Sequence, residues 1–529
     1  MIHLPRDHDP MNNAQLIGRY GARKMELPSA VEETELLFQD IYNRDYTPSF
    51  QNSPTLSLFK TFKKLIKGMF VEDVSNRTLP PTRTVMDENG MPCPEWLPTL
   101  NREYDRLFCE ITKTVNVKDF GAKGDGVTDD TAAFEKAIGT GSVHVVVPAG
   151  VYMTKGIKLP SWTSFSGEGK GITVIKLHNE APIGRRLITN SRYIKGNHHI
   201  AVRYMTLDWN VERLGDIPKT AAGNNQSSCL TFAHVTYGWV QNVEAINPGL
   251  HCFDVSSAYY TYLGDGTRAR YGSRYIWLDN LNGYGFGDDG ITTHHSEDLF
   301  ISNSHMCDPS GRSHKLGFSN SNGIEVDDGS RNVWLLNNST ARCFGGIEIK
   351  AHHNSAAAAN VHIIGHLSVN DNRAYNFRHI GHHQAADTES LTAFNIKATN
   401  LIAAAPIRTS LYEGSQQRAL VVSGYKNVVI NHFTAIGDSD YDYNRGPVLA
   451  VQYRARNVVL NNVHVTGFKT AGVDMKVFGG DNAADIVRIG QFTADASAEK
   501  TLVVGSGVTD IELQNVYAVR GLTREKVTL

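Results

Sequence analysis

A short block recurs along most of this chain: a polar pair, an apolar-x-apolar strand, then Asn. It reads SRYIWLDN ending at Asn280, EDLFISN at Asn303, SRNVWLLNN at Asn338, ARNVVLNN at Asn462 and VTDIELQN at Asn515. Looser copies are YGWVQN at Asn242 and YKNVVIN at Asn431. Intervals of roughly 20 to 35 residues are those of a solenoid, whose repeats bury their apolar faces only by stacking on their neighbours. Alternate residues such as Val458, Leu460, Val463 and Val465 are expected inside, with polar residues outside. The Asn suits a corner, because Asn tolerates the left-handed region and bonds its own backbone. Stacked, these Asn are expected to form a side-chain ladder. The block predicts an all-β chain, a right-handed parallel β-helix over 111–529, with an ordinary β-sandwich as the alternative.

The solenoid is expected to begin at VNVKDFGAKGDGVTDDTAAFEKAI, a strand, a Gly/Asp turn and a helix at about 128–138 with Thr128 or Asp129 as cap. That helix is expected to cover the open end of the first coil. Residues 1–110 have a different texture. A helix is expected over Ala30–Asn43 behind Ser29, with Leu36, Leu37, Ile41 and Tyr42 as its apolar stripe. Thr55–Met69 reads as a basic amphipathic helix, and Leu79–Pro98 as a Pro-containing arm. The region is expected to form a small N-terminal mixed or helical domain with a linker.

Formal net charge is −2, so nothing draws the chain to nucleic acid. No window approaches 18 apolar residues, so no membrane span is expected. The start, MIHLPRDHDPMNNAQ, lacks an apolar signal region, so a role outside the cell implies a non-classical exit such as lysis. Six irregularly spaced Cys are expected to be reduced thiols.

Chemistry concentrates between Gly283 and His353. Asp288 and Asp289 precede GITTHHSEDLFISN; Glu325, Asp327 and Asp328 sit in and after GIEV; Glu348 and Lys350 sit in GIEIKAHH. These are matching points of successive repeats, so the chain is expected to build one acidic surface. Coils about 4.8 Å apart place carboxyls at the separations that glycoside cleavage requires. Crowded carboxylates also raise the pKa of at least one, as an acid catalyst needs. The catalytic set is therefore read as Asp288, Asp289, Glu325, Asp327, Asp328 and Glu348. Asp before Gly also closes tight turns, which is the alternative reading of each pair. Lys350, His294, His295, His352, Arg378, His379 and Tyr284 are read as substrate-binding. His353, His382, His383 and Arg373 lie in the same or adjoining coils, and on a polyol-phosphate polymer the reaction would be phosphodiester hydrolysis, with His, Lys350, Arg373 and Arg378 binding phosphate or moving protons. No cofactor is required by this reading, although His with Asp can hold a divalent cation such as Ca²⁺ or Mg²⁺. Trp277, Trp334, Tyr259, Tyr260, Tyr262 and Phe286 can serve as sugar platforms or as a stacked aromatic row.

At DFGAKGDGVTDDTAAFEKAI and VVVPAGVY the chain resembles the pectate-lyase-like superfamily of parallel β-helix proteins. Its middle more loosely resembles polygalacturonase-type glycoside hydrolases. Gly287-Asp288-Asp289 stands where those enzymes carry catalytic acids, and Glu348-Ile349-Lys350 where an R-I-K segment binds substrate, with Glu in place of Arg. Their N-T-D and G-H-G segments have no match. Over roughly Val115 to Asn400 the chain is similar to pre-neck appendage or tailspike proteins of small phages of Gram-positive bacteria. YYTYLGDG, SRYIWL, FGDDGITTHHSEDL, NGIEVDDGS, GGIEIKAHHN and YNFRHIGHH carry that similarity. The resemblance implies a homotrimer on the virion that hydrolyses wall teichoic acid or a capsular polysaccharide. It implies that residues 1–110 attach the protein to tail or neck components. The alternatives are a non-catalytic receptor-binding virion protein and a bacterial polygalacturonase-like hydrolase or polysaccharide lyase with Lys350 as base.

Overall fold

The computed structural model describes residues 2–22, 25–43, 79–223, 225–260, 269–352, 356–379, 392–508, 510–518 and 522–524. The basic helix expected over Thr55–Met69 lies outside the described residues, as do Tyr262, His353, His382 and His383.

From Lys113 onward the described strands pair in parallel with their equivalents one coil away, apart from the antiparallel pair Tyr259–Tyr260 and Ala269–Arg270. The chain winds as a right-handed parallel β-helix, the hand that strand–crossover–strand connections take. One face is a thirteen-stranded sheet running from Ile157–Leu159 to Leu522–Arg524. The remainder of a typical coil is a longer strand bent in its middle at a left-handed residue. Arg331–Ala341 bends at Asn337, Phe394–Ala404 at Asn400 and Arg456–Thr466 at Asn462. Val458, Leu460, Val463 and Val465 all point into the single long core, as their alternation requires.

The corner role of Asn holds in detail. Asn242, Asn280, Asn303, Asn462 and Asn515 have φ of 55°, 52°, 45°, 53° and 51°. In two coils the left-handed residue is one place off the expected Asn: Asn337 rather than Asn338, and His432 rather than Asn431. Asn338 instead turns inward, donating from Nδ2 to the Ile301 carbonyl and accepting from the Ser304 amide. A longer ladder runs down the other end of these strands. Asn332, Asn360, Asn395, Asn427 and Asn457 are all left-handed, each amide donating to the side-chain oxygen one coil back at 2.8–3.1 Å. Asn395→Ala removes two rungs and leaves Ala in the left-handed region. The expected loss is about 1–3 kcal/mol, read as a lower midpoint in denaturant.

The first 110 residues supply the expected small helical region, laid along the solenoid. Helices α1 (Asn13–Tyr20), α2 (Leu27–Asn43) and α3 (Leu97–Glu110) lie along the long strands. Their buried side chains join clusters that include solenoid residues: Val31, Leu100 and Leu107 with Trp239 and Trp334, and Phe38 with Val429 and Val459. Among the described residues this region has no core of its own, so it acts as a strap. Within α2 the buried face is Ala30, Val31, Thr34, Glu35, Phe38 and Ile41; Leu36 and Tyr42 of the expected stripe point outward. The reason is Glu35, whose carboxylate is buried against the Lys397 ammonium at 2.5 Å. The Pro-containing arm folds back as a hairpin, Thr84–Met86 against Pro92–Pro94, and leads into α3, which no sequence signal singled out. Helix α4 (Thr131–Ile138) covers the first coil, with Phe134 against Tyr152 and Phe165. Among the described residues no helix is long and apolar enough to cross a membrane.

Candidate active site

Five consecutive strands of the thirteen-stranded sheet carry the site: Phe253–Ser256, Ile291–Thr293, Asn322–Val326, Gly345–Ala351 and Arg373–His379. Their inward residues, among them Phe253, Ile291, Ile324, Ile347 and Tyr375, fill the core. Alternation therefore points the intervening residues outward. Register aligns Asp254, Thr292, Glu325, Glu348 and Asn376 in one column. Two residues further along lie His294, Asp327, Lys350 and Arg378, of which Lys350 and Arg378 are paired in register. Asp288 and Asp289 enter from the turn just before their strand. The glycines around them permit that turn: a Cβ on Gly287 would lie 2.2 Å from the Gly249 carbonyl oxygen, and one on Gly290 2.6 Å from that of Gly323.

The groups are interlocked. Asp288 accepts from His314 Nε2 at 2.9 Å and lies 3.8 Å from His251 Nε2; His251 Nδ1 in turn faces Asp254 at 3.2 Å. Asp289 Oδ1 accepts from the backbone and side-chain amides of Asn322, both at 3.0 Å. The same Asn322 Nδ2 donates to Glu325 Oε1 at 2.9 Å, and Thr292 Oγ1 donates to Glu325 Oε2 at 3.0 Å. Lys350 Nζ lies 2.9 Å from Glu325 and 3.5 Å from Asp327; His294 faces Asp327 at 3.5 Å and His352 faces Asp328 at 3.1 Å. Arg378 is bonded to Glu348. The surface is thus a lattice of compensated charges rather than the uniformly acidic one expected. A cavity of about 330 Å³ opens among His251, Asp288, Asp289, His294, His314, Glu325, Asp327, Lys350 and His352.

The carboxyls divide into two states. Burial, then the charges of Glu325 and Asp288, push Asp289 well above the ordinary carboxylate range. Burial acts on Asp288 in the same sense, but the imidazoles of His251 and His314 outweigh it and hold that carboxyl down. Burial is likewise outweighed at Asp327 by Lys350 and His294, so it lies far below the usual value, while burial raises Glu325. His251 is disfavoured as a cation by burial, yet Asp254 and Asp288 push it up to about 9.

The structure brings together Asp288, Asp289, Glu325, Asp327, Lys350, His294 and His352 around the cavity, with Asp328, Glu348 and Arg378 bonded at its edge. Three expected residues sit elsewhere. Tyr284 belongs to the strand Asn282–Tyr284 of another sheet and packs under Arg6 of the strap, 5.2 Å from its guanidinium. His379 has the parity of Tyr375 and Phe377 and is buried beside Ala351. His295 takes a left-handed corner conformation with φ of 45°, donating its backbone amide to the Asp328 carbonyl. Trp277 and Trp334 form a stacked row with Phe300 and His362 beneath the strap, and Phe286 is core, so none of them is a sugar platform. Tyr260 does stand at the cavity, stacked on His294. Sequence reasoning passed over His251, Asp254 and His314. Asp254 had a signal, a lone acid alternating with core residues in FDVS; His314 sits in an insertion without periodicity.

His251 with Asp288 and Asp289, His294 with Glu325 and Asp327, and Asp327 with Asp328 and His352 each bring donor atoms within 4.8 Å. Such sets suit a divalent cation. In the second set the Lys350 ammonium already contacts both carboxylates.

A family profile described as rhamnogalacturonase A/epimerase, pectate lyase-like, matches residues 114–348. The phage-related protein YobO of Bacillus subtilis (strain 168) is 52% identical over 416 residues, covering 79% of this chain and 51% of that protein. The pre-neck appendage protein of Bacillus phage phi29 is 43% identical over 410 residues, covering 77% of this chain and 47% of that protein. The crystal structure of the N-terminal fragment of bacteriophage phi29 gene product 12 superposes with a TM-score of 0.72 at 41% identity, covering 80% of this chain and 68% of that one. The chain spans about half the length of the curated relatives it matches.

Proposed function

Because the chain belongs to the pectate-lyase-like family of parallel β-helix proteins, together with the phage pre-neck appendage proteins, we propose that it is the polymer-cleaving part of a virion appendage. Its substrate class is a bacterial cell-surface glycopolymer, a wall teichoic acid or a capsular polysaccharide, and the reaction is hydrolysis. The observation that carries this reading is the contact of Asp288 with two imidazoles, His251 and His314, beside buried Asp289, which drives the two carboxyls in opposite directions. Asp289, protonated, delivers its proton to the leaving oxygen. Asp288, ionised, takes a proton from the attacking water, with His251 and His314 fixing its orientation. Two carboxyls pushed apart in pKa are what acid–base cleavage requires. Lys350 is buried, and although burial disfavours its charge, Asp327 and Glu325 hold it well above the ordinary lysine range. It is therefore a fixed cation and not the neutral base that a lyase needs. Between Glu325 and Asp327, Lys350 fills the place of a divalent cation.

Attachment to the virion neck through the strap and assembly as a homotrimer belong to the same proposal and rest on the likeness to appendage proteins. A second reading, a receptor-binding appendage without catalysis, is favoured by the near-complete pairing of the acids with His, Lys and Arg. Incubation with purified teichoic acid and capsular polysaccharide, with products identified by mass spectrometry, separates the two. Short oligomers support hydrolysis, and tight binding without products supports the receptor reading.

The ionisation of Asp288 makes a pH prediction. His314→Gln removes one of the two imidazoles that lower the Asp288 pKa, so that pKa rises. The acid limb of the rate profile is expected to move to higher pH, with the rate at the optimum less affected. A profile that keeps its acid limb in place would contradict Asp288 as the base.

A further inference from the structure

We propose that Phe318 and Tyr412 form a stacking platform for a pyranose ring of the polymer, next to the bond that is cut. This rests on the reading of the cavity as a polymer-cleaving site. The two residues come from separate insertions, 308–321 and 405–417, which are zipped together. Phe318 and Tyr412 form an antiparallel bridge; the Ser319 amide donates to the Leu411 carbonyl at 2.9 Å, and the Glu413 amide to the Gly317 carbonyl at 2.7 Å.

The rings are 45% and 37% exposed, although large apolar side chains on a rigid loop would lower their free energy by turning inward. They do not turn inward because the ledge beneath them is already filled. Tyr412 rests on buried Phe344 with ring centroids 5.2 Å apart, and Phe318 meets Tyr412 edge-on at 6.3 Å. Phe318 also lines the same cavity as Asp288 and Asp289. The platform is therefore continuous with the catalytic groups.

Partly exposed aromatic rings beside a polar, charge-lined cavity match a pyranose, which offers an apolar C–H face on one side and hydroxyls at its rim. An open polyol chain has no such face. Lys315 Nζ lies over the Phe318 ring, 4.3 Å from its centroid, and adds a cation to the platform. That suits a sugar carrying, or next to, an anionic group. The site thus selects a polymer with hexopyranosyl units over a bare polyol phosphate.

The test uses the full chain carrying Asp289→Asn, so that binding is read without turnover. Poly(glycerol phosphate) with and without hexopyranosyl substituents serves as the pair of probes, with affinity measured by calorimetry. Adding Phe318→Ala and Tyr412→Ala is expected to weaken binding of the substituted polymer about tenfold and to leave the bare chain unaffected. Phe318→Tyr is expected to retain binding, which separates stacking from loss of the loop. Equal affinity of the parent for both probes, no binding of the substituted one, or unchanged affinity in the double alanine variant would each overturn the platform. Cleavage that persists in Asp288→Asn and Asp289→Asn would instead overturn the catalytic assignment and leave the binding result standing.

Discussion

Replacing Asp289 by Asn is expected to slow polymer cleavage by about 10²–10⁴-fold while leaving polymer binding close to that of the parent. The amide keeps the shape and the oxygen that accepts from both Asn322 amides, so the turn is retained. What it removes is the transferable proton. Asp289 is 2% exposed and is pushed up first by burial and then by Glu325 and Asp288, which favours its protonated form. A site that crowds such a carboxyl against others stores repulsion that folding does not need. Thermal stability of Asp289→Asn is therefore expected to equal or exceed that of the parent. Asp288→Asn is expected to cost a similar factor in rate, and the double variant little more, since acid and base act in one step. Rates within threefold of the parent for both single variants would show that the pair is structural.

The second large effect concerns the strap. Lys397→Met is expected to destabilise docking of α2 by about 3–5 kcal/mol, because it leaves the Glu35 carboxylate buried without its counter-charge. Glu35 and Lys397 are 7% and 5% exposed. Lys397 Nζ also donates to the Thr82 carbonyl at 2.7 Å, and Glu35 Oε1 accepts from the Thr84 amide at 3.2 Å. His362 bonds the hydroxyls of Thr82 and Thr84, so one network pins both α2 and the hairpin arm to the solenoid. Limited proteolysis is expected to cut the strap of the variant before the solenoid. The pair Glu35→Leu with Lys397→Met is expected to recover most of the loss, since no unpaired charge remains. Proteolysis of Lys397→Met at the parental rate would exclude the network as the anchor.

Much of this was legible in the residues alone. The period-2 pattern around the recurring Asn placed Val458, Leu460, Val463 and Val465 in the core, because in a stacked strand only alternation can bury one face. Asn at a fixed offset marked the corners, because a left-handed residue without glycine's entropy cost is most often Asn. Acids at equal offsets from those corners had to meet once coils stacked, as Glu325 and Glu348 do in register. The tertiary structure decided the rest. Which acid is protonated depends on His251 and His314, brought from a preceding coil and from an insertion whose length carries no period. Whether Tyr284, His379 and Trp334 reach substrate depends on parity and on what covers them; a strap with a buried Glu–Lys pair breaks the apolar pattern that would have announced its docking face. Local pattern determines which residues share a face, while charge state and cover are set by neighbours distant in sequence, whose positions only the folded coil defines.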